Sequence, residues 1–225
     1  MIDPPPPAGA PGPDPTTDPA PDPGRDPLAG VPVVVLGLMA AGKTTVAEGL
    51  AQLWGRPLRD SDADLEERTG RTAAELEDEH GADYLHELEA AVLHDALRPA
   101  RGVTESGSAG GCGAPVVAAA ASTIDREDCR RALHDEAVTV WLDGDPGELA
   151  DRAQEGDHRP DTDDDLRTAL RDMDARRRPL FTATAHVIVP VDDDREGLVR
   201  RVAAEVAAYA RTRGTDGATG GGRSR

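Results

Sequence analysis

The strongest constraint on the fold comes from one octapeptide, 37–44, which reads Gly-Leu-Met-Ala-Ala-Gly-Lys-Thr and satisfies the pattern G-x-x-x-x-G-K-[ST]. It follows a run rich in β-branched residues at 31–38 and precedes a segment, 44–54, whose apolar residues recur at helical spacing. In such a turn between a buried strand and a helix, successive backbone N–H groups and the helix N-terminus point at one anion. The octapeptide therefore predicts a phosphate-binding loop in an α/β protein.

The residues of this loop have distinct expected contacts with a nucleoside triphosphate and its metal ion. Lys43 supplies a mobile positive charge to the β- and γ-phosphates, and the hydroxyl group of Thr44 holds Mg²⁺. The remaining nucleotide contacts are assigned to Gly37, Ala40, Ala41, Gly42 and Thr45. Lys43 is the only lysine among 25 basic residues, and a compact ammonium suits a phosphate better than the planar fork of arginine. We therefore expect ATP and Mg²⁺ as the ligands of this loop.

Strand and helix signals alternate along the chain. The predicted strands are 31–38, 57–60, 115–121, 137–142 and 186–191, and the predicted helices are 44–54, 62–68, 82–97, 125–133, 146–153, 166–178 and 194–211. This alternation is typical of a parallel sheet with helices on both faces. We predict a three-layer α/β fold of the P-loop NTPase type, with a five-stranded parallel sheet.

The two ends of the chain differ in composition from its centre. Twelve of the 19 prolines lie within the first 32 residues, where Asp-Pro occurs five times. Because such a segment buries too little apolar surface to fold, residues 1–29 are predicted to be a disordered tail, and so are the Gly- and Arg-rich residues 212–225. We expect one domain at 30–211, interrupted by a long Gly-rich loop at 99–114.

The charge balance excludes several classes of partner. The chain has 43 acidic and 25 basic residues, a net charge of −18 that repels nucleic acids and anionic lipids. The longest uncharged apolar run, 31–42, is too short to cross a bilayer. Cys112 and Cys129 form no C-x-x-C pair, as is typical of a reduced compartment. We expect a cytoplasmic monomer that binds a small molecule, without a nucleic-acid or membrane partner.

Two carboxylates follow the second predicted strand, at Asp60 and Asp62. Ligands of open α/β sheets bind at the carboxyl ends of the strands, so these side chains can face a metal ion and a substrate hydroxyl group. A structural alternative is that one of them caps the next helix. The spacing alone leaves both interpretations open.

These motifs together resemble the shikimate kinase family. After the loop at 37–45 the chain has, in the family's order, Asp60-Ser61-Asp62, Glu66-Glu67-Arg68-Thr69-Gly70-Arg71, Gly81, Glu89, Arg159-Pro160 and Arg177-Arg178-Pro179-Leu180-Phe181. The strings D-S-D-x-x-L-E-x-R-T-G and R-x-P-L-F are much more specific than the phosphate loop. The resemblance covers most of residues 31–210. It implies an enzyme of aromatic amino acid biosynthesis that transfers the γ-phosphate of ATP to a hydroxyl group of shikimate or a similar small hydroxylated acid.

The resemblance also implies roles for single residues. Asp60 supports Mg²⁺ together with Thr44, and Asp62 hydrogen-bonds the acceptor hydroxyl group and takes its proton. Asp62 contributes more by aiming that hydroxyl group than by its basicity, because phosphoryl transfer passes through a loose transition state. Lys43, Asp62 and Arg159 are the expected catalytic residues.

Three arginines receive roles in the same way. Arg159 belongs to a predicted lid at about 154–164 that closes over the phosphates, and Arg152 lies against adenine. Arg177 binds the acceptor carboxylate as a two-pronged fork. Without the resemblance, Arg152 and Arg159 read as surface residues and Arg177 as a cation that complements a helix dipole.

The acceptor pocket departs from the family's pattern at two places. His86 stands where the family has a second carboxylate-binding arginine, and Ala120-Ala121-Ser122 replaces a Gly-Gly-Gly turn. We assign these four residues to the acceptor, with Ser122 as a hydrogen-bond donor. The alternatives are a kinase for another small acceptor, such as the sugar acid gluconate or an amino alcohol, and a non-catalytic ATP-binding regulatory module. A nucleoside monophosphate kinase is a weaker alternative.

Overall fold

The centre of the molecule is a sheet built from short runs of β-branched residues. The computed structural model describes residues 25–28, 30–98, 113–156, 163–192 and 194–219. The strands within these ranges are β1 (Val33–Leu36), β2 (Leu58–Asp60), β3 (Val116–Ala118), β4 (Val138–Asp143) and β5 (Val187–Pro190). All pairings are parallel, in the order β2-β3-β1-β4-β5. The predicted fold class is confirmed, and the strand order places β1 in the middle.

β1 is covered on both faces, as its sequence predicts. All four of its residues are fully buried. Val34 pairs with Val117 of β3 on one side and with Thr139 of β4 on the other. A strand without a polar face can only lie inside a sheet with a layer on each side. The phosphate-binding octapeptide therefore starts from the most rigid part of the fold.

Eight helices cover this sheet in the described part of the chain. They are α1 (Lys43–Trp54), α2 (Ser61–Thr69), α3 (Ala73–His80), α4 (Ala82–Leu97), α5 (Glu127–Asp135), α6 (Pro146–Gly156), α7 (Asp163–Thr184) and α8 (Arg195–Thr219), with a 3₁₀ turn at Ala121–Asp125. α1 packs against α8, whereas α5 packs against both α4 and α7. Because connections between parallel strands are right-handed as a rule, this strand order implies that the two groups lie on opposite faces. None of the helices in the described ranges is long and apolar enough to cross a membrane.

Helix α3 was missed by the sequence analysis, although its start carries a clear signal. The Thr72 hydroxyl oxygen accepts a hydrogen bond from the Glu75 N–H at 3.3 Å, and the Glu75 carboxylate accepts one from the Thr72 N–H at 2.8 Å. This reciprocal capping box is read from Thr-x-x-Glu. Gly81, with φ at 86°, then separates α3 from α4.

Two helices, α7 and α8, end more than one turn later than predicted. α7 continues through Pro179, although proline cannot donate a backbone hydrogen bond. The helix continues because Phe181, one residue beyond Leu180, is fully buried and stacks on Trp141 at 5.5 Å between ring centroids. α8 runs to Thr219 rather than 211. Each residue added to a helix that is already formed gains a hydrogen bond for little further ordering. Residues 212–219 of the predicted C-terminal tail are therefore helical.

The fold also begins earlier than residue 30. Arg56 is buried, and its guanidinium donates to both carboxylate oxygens of Asp26 at 2.8 Å and to the Val31 carbonyl at 2.9 Å, as well as to the Leu28 carbonyl. Residues 25–28 thus contact the domain, which corrects the predicted boundary. The other predicted tail residues, 1–24 and 220–225, and most of the predicted loop lie outside the described residues.

We expect Arg56→Met to lower the free energy of unfolding by about 3 kcal/mol, because it leaves the Asp26 carboxylate and two carbonyls without their buried donor. Urea unfolding followed by circular dichroism measures this loss. The matched control is Arg131→Met, since Arg131 forms a well-exposed pair with Glu127 at 3.6 Å and should change stability by no more than about 0.5 kcal/mol. Equal losses in the two variants would show that the Arg56 contacts do not hold residues 25–28.

Candidate active site

The phosphate-binding loop has a backbone that few residues other than glycine adopt. Gly42, directly before α1, has φ at 87°, and Ala40 is also left-handed with φ at 62°. Gly37 has no room for a side chain, because a Cβ there would lie 3.0 Å from the Leu142 carbonyl oxygen. A non-glycine residue in this region of φ stores strain, and such strain is found where a backbone is shaped for a ligand. The loop therefore has the curvature that a phosphate cradle requires.

Lys43 lies in the first turn of α1 and folds back over the loop. Its Nζ donates a hydrogen bond to the Leu38 carbonyl oxygen at 3.1 Å. Burial lowers the pKa of Lys43, while the charges of Asp62 and Asp60 act in the opposite direction. The ammonium group is thus partly desolvated and close to two carboxylates, where its attraction for a phosphate is stronger than in water.

Thr44 and Asp60 bring two oxygen donors together at the carboxyl edge of the sheet. The Thr44 hydroxyl donates to Asp60 Oδ2 at 2.8 Å. The other carboxylate oxygen of Asp60 accepts from the Asp62 N–H at 3.0 Å and caps α2. Asp60 can therefore cap α2 and support a metal ion at the same time, because each role uses a different carboxylate oxygen. Hard oxygen donors of this kind fit Mg²⁺.

Asp62 occupies the first turn of α2, with its charge near that of Lys43. Desolvation raises the pKa of the Asp62 carboxyl, the charge of Asp60 raises it further, and Lys43 opposes both effects. A carboxylate with a raised pKa is a better acceptor of a proton from an alcohol than an ordinary aspartate. The structure therefore places Asp62, Asp60 and Lys43 together, and the roles assigned to them stay predictions.

A cavity of about 210 Å³ opens on the other side of the loop. Its lining residues are Ala40, Ala41, Gly42, Thr45, Val46, Arg152, Val191, Asp192 and Leu198. The lining combines loop residues and apolar side chains with one arginine and one aspartate, which suits a flat heteroaromatic base attached to phosphates. Arg152 of α6 and Thr45 of α1 are thus brought to one cavity with the loop.

Arg177 of α7 is brought to the sheet edge, but it is paired with a residue of the chain itself. Its Nη2 lies 2.7 Å from Asp125 Oδ2, and its Nε lies 3.0 and 3.2 Å from the two carboxylate oxygens. The Arg177 side chain is only 11% exposed, whereas that of Asp125 is 41% exposed. The fork that was assigned to an acceptor carboxylate therefore already holds a carboxylate.

Ser122 faces a buried partner rather than open space. It is buried in the 3₁₀ turn, and its hydroxyl group donates to the carboxylate of Glu89, which is also buried. Burial raises the pKa of the Glu89 carboxyl, while the Ser122 hydrogen bond and the charges of His86 and Arg177 lower it. A hydroxyl group has one hydrogen to donate. In this arrangement the expected hydrogen bond from Ser122 to the acceptor is replaced by one to Glu89.

The chain after β3 uses ordinary backbone where the resemblance suggests three glycines. Ala120 has φ at −60° and is nearly buried, and Ala121 begins the 3₁₀ turn. Neither alanine has a positive φ, so side chains fit here without strain. His86, on α4, is partly buried and lies near enough to Glu89 for its charge to act there.

The predicted lid is only partly within the described residues. Its first residues, 154–156, belong to the end of α6, and 163–164 belong to the start of α7. Arg159 lies outside the described residues, as does the rest of the lid at 157–162. Its assignment as a catalytic residue stays a prediction.

Asp125 and Glu89 lie on the acceptor side of this site, and the sequence analysis assigned a role to neither. Asp125 was read as the first residue of a predicted helix, where an acidic residue is common. The signal that could have identified it is its position in the turn after β3, among residues assigned to the acceptor. Glu89 lies on the inner face of α4, and an acidic residue within an apolar helix face indicates a buried polar contact.

A second cluster of polar groups lies away from the loop. Atoms of His94, Asp128 and Cys129 lie within 4.8 Å of one another. The Asp128 carboxylate is bound by Arg126, which holds its pKa at about 2, and burial raises the pKa of the Cys129 thiol to about 11. A protonated thiol and an occupied carboxylate are poor metal ligands. This cluster reads as a structural contact between α4 and α5.

Comparisons with known proteins agree with this geometry. A family model for shikimate kinase matches residues 39–209. The shikimate kinase of Symbiobacterium thermophilum is 34% identical over 188 residues, which span 82% of this chain and 99% of that relative. The shikimate kinase of Rhodopseudomonas palustris is 28% identical over 180 residues, which span 79% of this chain and 82% of that relative.

Solved structures give the same result. Shikimate kinase from Acinetobacter baumannii in complex with shikimate superposes with a TM-score of 0.67 at 26% identity, over 82% of this chain and 94% of that one. A gluconokinase from Sinorhizobium meliloti superposes with a TM-score of 0.55 at 20% identity, over 84% of this chain and 97% of that one, which is a likeness of fold alone.

Proposed function

Because this chain belongs to the shikimate kinase family and is an ATP-dependent phosphotransferase acting on a hydroxyl group, we propose that it transfers the γ-phosphate of ATP to shikimate or a small hydroxylated compound of similar size. The observation that supports this most directly is the placement of Asp62 beside Lys43, where the charge of each affects the pKa of the other. In the proposed site, Lys43 binds the transferred phosphate and Asp62 binds the acceptor hydroxyl group.

In the proposed mechanism, the loop backbone and Lys43 hold the β- and γ-phosphates in a partly desolvated site. Asp62 accepts a hydrogen bond from the acceptor hydroxyl group, aims its oxygen at the γ-phosphorus and takes its proton as the new bond forms. Thr44 and Asp60 are the residues that would hold Mg²⁺. The bound ion would neutralise part of the negative charge of the phosphates.

The nucleotide base is proposed to occupy the cavity beside the loop, with Arg152 against its ring. Arg159 is proposed to act from the lid, which would exclude water from the γ-phosphate, since an open site would hydrolyse ATP instead of transferring the phosphate. We further propose that the enzyme works as a cytoplasmic monomer without a nucleic-acid or membrane partner. Light scattering of the purified chain tests the monomer.

An ADP-release assay with ATP and Mg²⁺ tests the proposed function. The acceptor panel consists of shikimate, gluconate and a small amino alcohol, and phosphorus NMR identifies the phosphorylated product. We expect shikimate to stimulate ADP release above basal hydrolysis. A chain that binds ATP but responds to no acceptor would instead be a nucleotide-dependent regulatory module.

We expect His86→Arg to lower the KM for shikimate about threefold to tenfold, because a guanidinium is always charged and binds a carboxylate with two hydrogen bonds. Initial rates at saturating ATP measure this effect. The control is His80→Arg on α3, since exposed His80 contacts Glu79 and Tyr84 away from the acceptor residues. If His86→Arg leaves the KM for shikimate unaltered, His86 does not face the acceptor.

A further inference from the structure

Asp125 forms an ion pair with Arg177 on the acceptor side of the site, and its consequence for the choice of acceptor rests on the proposed function. A guanidinium offers two two-pronged edges, Nε with Nη2 and Nη1 with Nη2, and in Arg177 the first edge is occupied by Asp125 at 2.7 to 3.2 Å. The remaining nitrogen, Nη1, faces the sulfur of Met173 at 3.9 Å. An incoming carboxylate would have to displace Asp125 or bind beside it. Either route is opposed by the negative charge already present.

Asp125 is held in this position by the backbone around it. The 3₁₀ turn that ends at Asp125 is anchored by the Thr123 hydroxyl, which donates to the Ala120 carbonyl at 2.6 Å. The Arg130 guanidinium donates to the carbonyls of Ile124 and Asp125 at 2.8 and 2.9 Å. The backbone that carries the Asp125 carboxylate is therefore anchored on both sides, next to Arg177.

The charges near Arg177 add to this effect. Besides Asp125, the carboxylates of Asp62 and Glu89 lie near enough for their charges to act on Lys43, as does the charge of Arg177 itself. Lys43 is assigned to the phosphates, which leaves the guanidinium of Arg177 as the permanently charged group on the acceptor side. The acceptor side therefore has one full positive charge against three carboxylates. A carboxylate on the acceptor has little to gain from such surroundings.

We propose that Asp125 is a specificity-determining residue, which occupies one edge of the Arg177 guanidinium and offsets its positive charge, and so favours a hydroxylated acceptor with an uncharged polar group at that end. The Asp125–Arg177 pair then offers hydrogen bonds to a hydroxyl group, with the outer carboxylate lone pairs as acceptors. The chemical class that fits is a small polyol, of which the primary alcohol derived from shikimate is a matched probe.

The test compares shikimate with this alcohol, in which CH₂OH replaces the carboxylate and the ring hydroxyls are unchanged. We expect the wild-type enzyme to use the alcohol at least as well as shikimate. Asp125→Asn should raise kcat/KM for shikimate about tenfold through KM, equivalent to about 1.4 kcal/mol, without a matching gain for the alcohol, and should leave the KM for ATP unchanged. The control is Asp128→Asn, because Asp128 of α5 forms a similar ion pair with Arg126, directly before that helix. This variant should leave the ratio of kcat/KM for the alcohol to that for shikimate unaltered.

Calorimetric titration of shikimate into each variant gives a second readout that does not need turnover. Tighter shikimate binding to Asp125→Asn supports the inference, and a thermal melt confirms that the variant is folded, with Asp125→Ala as a second variant. Unchanged shikimate affinity and KM in both folded variants would overturn the inference. Absence of ADP release with either acceptor in every variant would instead refute the proposed function, and the binding result would still decide the role of Asp125.

Discussion

Lys43→Ala is expected to lower kcat for phosphoryl transfer by about 10³-fold, because it removes a partly desolvated positive charge from the site of the transferred phosphate. The fold should survive this change, since the Lys43 ammonium donates to a single backbone carbonyl, that of Leu38. ADP release in the presence of an acceptor measures the loss, and a thermal melt reports on the fold.

The matched variant is Lys43→Arg, which keeps the positive charge but replaces a compact ammonium with a planar fork. We expect it to recover only a small part of the activity, because the fork is larger and orients its donors differently. Full activity in Lys43→Ala would contradict the assignment of this loop to the triphosphate. Full activity in Lys43→Arg would show that charge alone is required.

Asp62→Asn is expected to lower kcat by about 10²-fold while leaving the KM for ATP nearly unchanged, because the amide can still contact the acceptor but cannot take its proton. The pH profile gives an independent readout. The raised pKa of the Asp62 carboxyl means that protonation begins at higher pH than for an ordinary aspartate. Activity of the wild-type enzyme should therefore fall as pH decreases through that pKa, and this acid limb should be absent in Asp62→Asn.

A suitable control for this variant is Asp64→Asn in the same turn of α2. The Asp64 carboxylate binds Arg59 at 2.7 Å and has no assigned contact with the nucleotide or the acceptor. Its kcat should stay within about twofold of the wild-type value, as expected for a partly exposed ion pair. Equal losses in Asp62→Asn and Asp64→Asn would indicate general damage to α2 rather than loss of a proton acceptor.

The nucleotide side of this site could be predicted from the sequence because its residues are close in sequence. Lys43 and Thr44 belong to one octapeptide, and Asp60 and Asp62 belong to one tripeptide at the end of a strand. The P-loop pattern and the rule that ligands bind at the carboxyl edge of parallel strands bring these two segments together. The Thr44–Asp60 hydrogen bond spans only 16 residues.

The acceptor side could not be predicted in the same way, because its decisive contacts join distant residues. Asp125 and Arg177 are 52 positions apart, and Ser122 and Glu89 are 33 apart. Each of these residues has an ordinary role when read alone, as a helix-end charge or a small polar residue. Only the packing of α4 and α7 against the turn after β3 brings them together.

The fold shows a similar division. β1 was predicted because a fully apolar β-branched run belongs inside a parallel sheet. The ends of α7 and α8 were not, since tertiary burial of Phe181 and helix propagation override the local signals of Pro179 and of a glycine-rich segment. Local rules identify where an element begins more reliably than where it stops.

The solitary lysine of this chain has one further consequence. In most proteins, reagents and enzymes that acylate amines modify many side chains, and their effects are spread over the surface. Here the only side-chain amine is in the phosphate loop. Acetylation of Lys43 would therefore remove the positive charge assigned to the triphosphate, so that a single modification would be expected to abolish the proposed phosphoryl transfer.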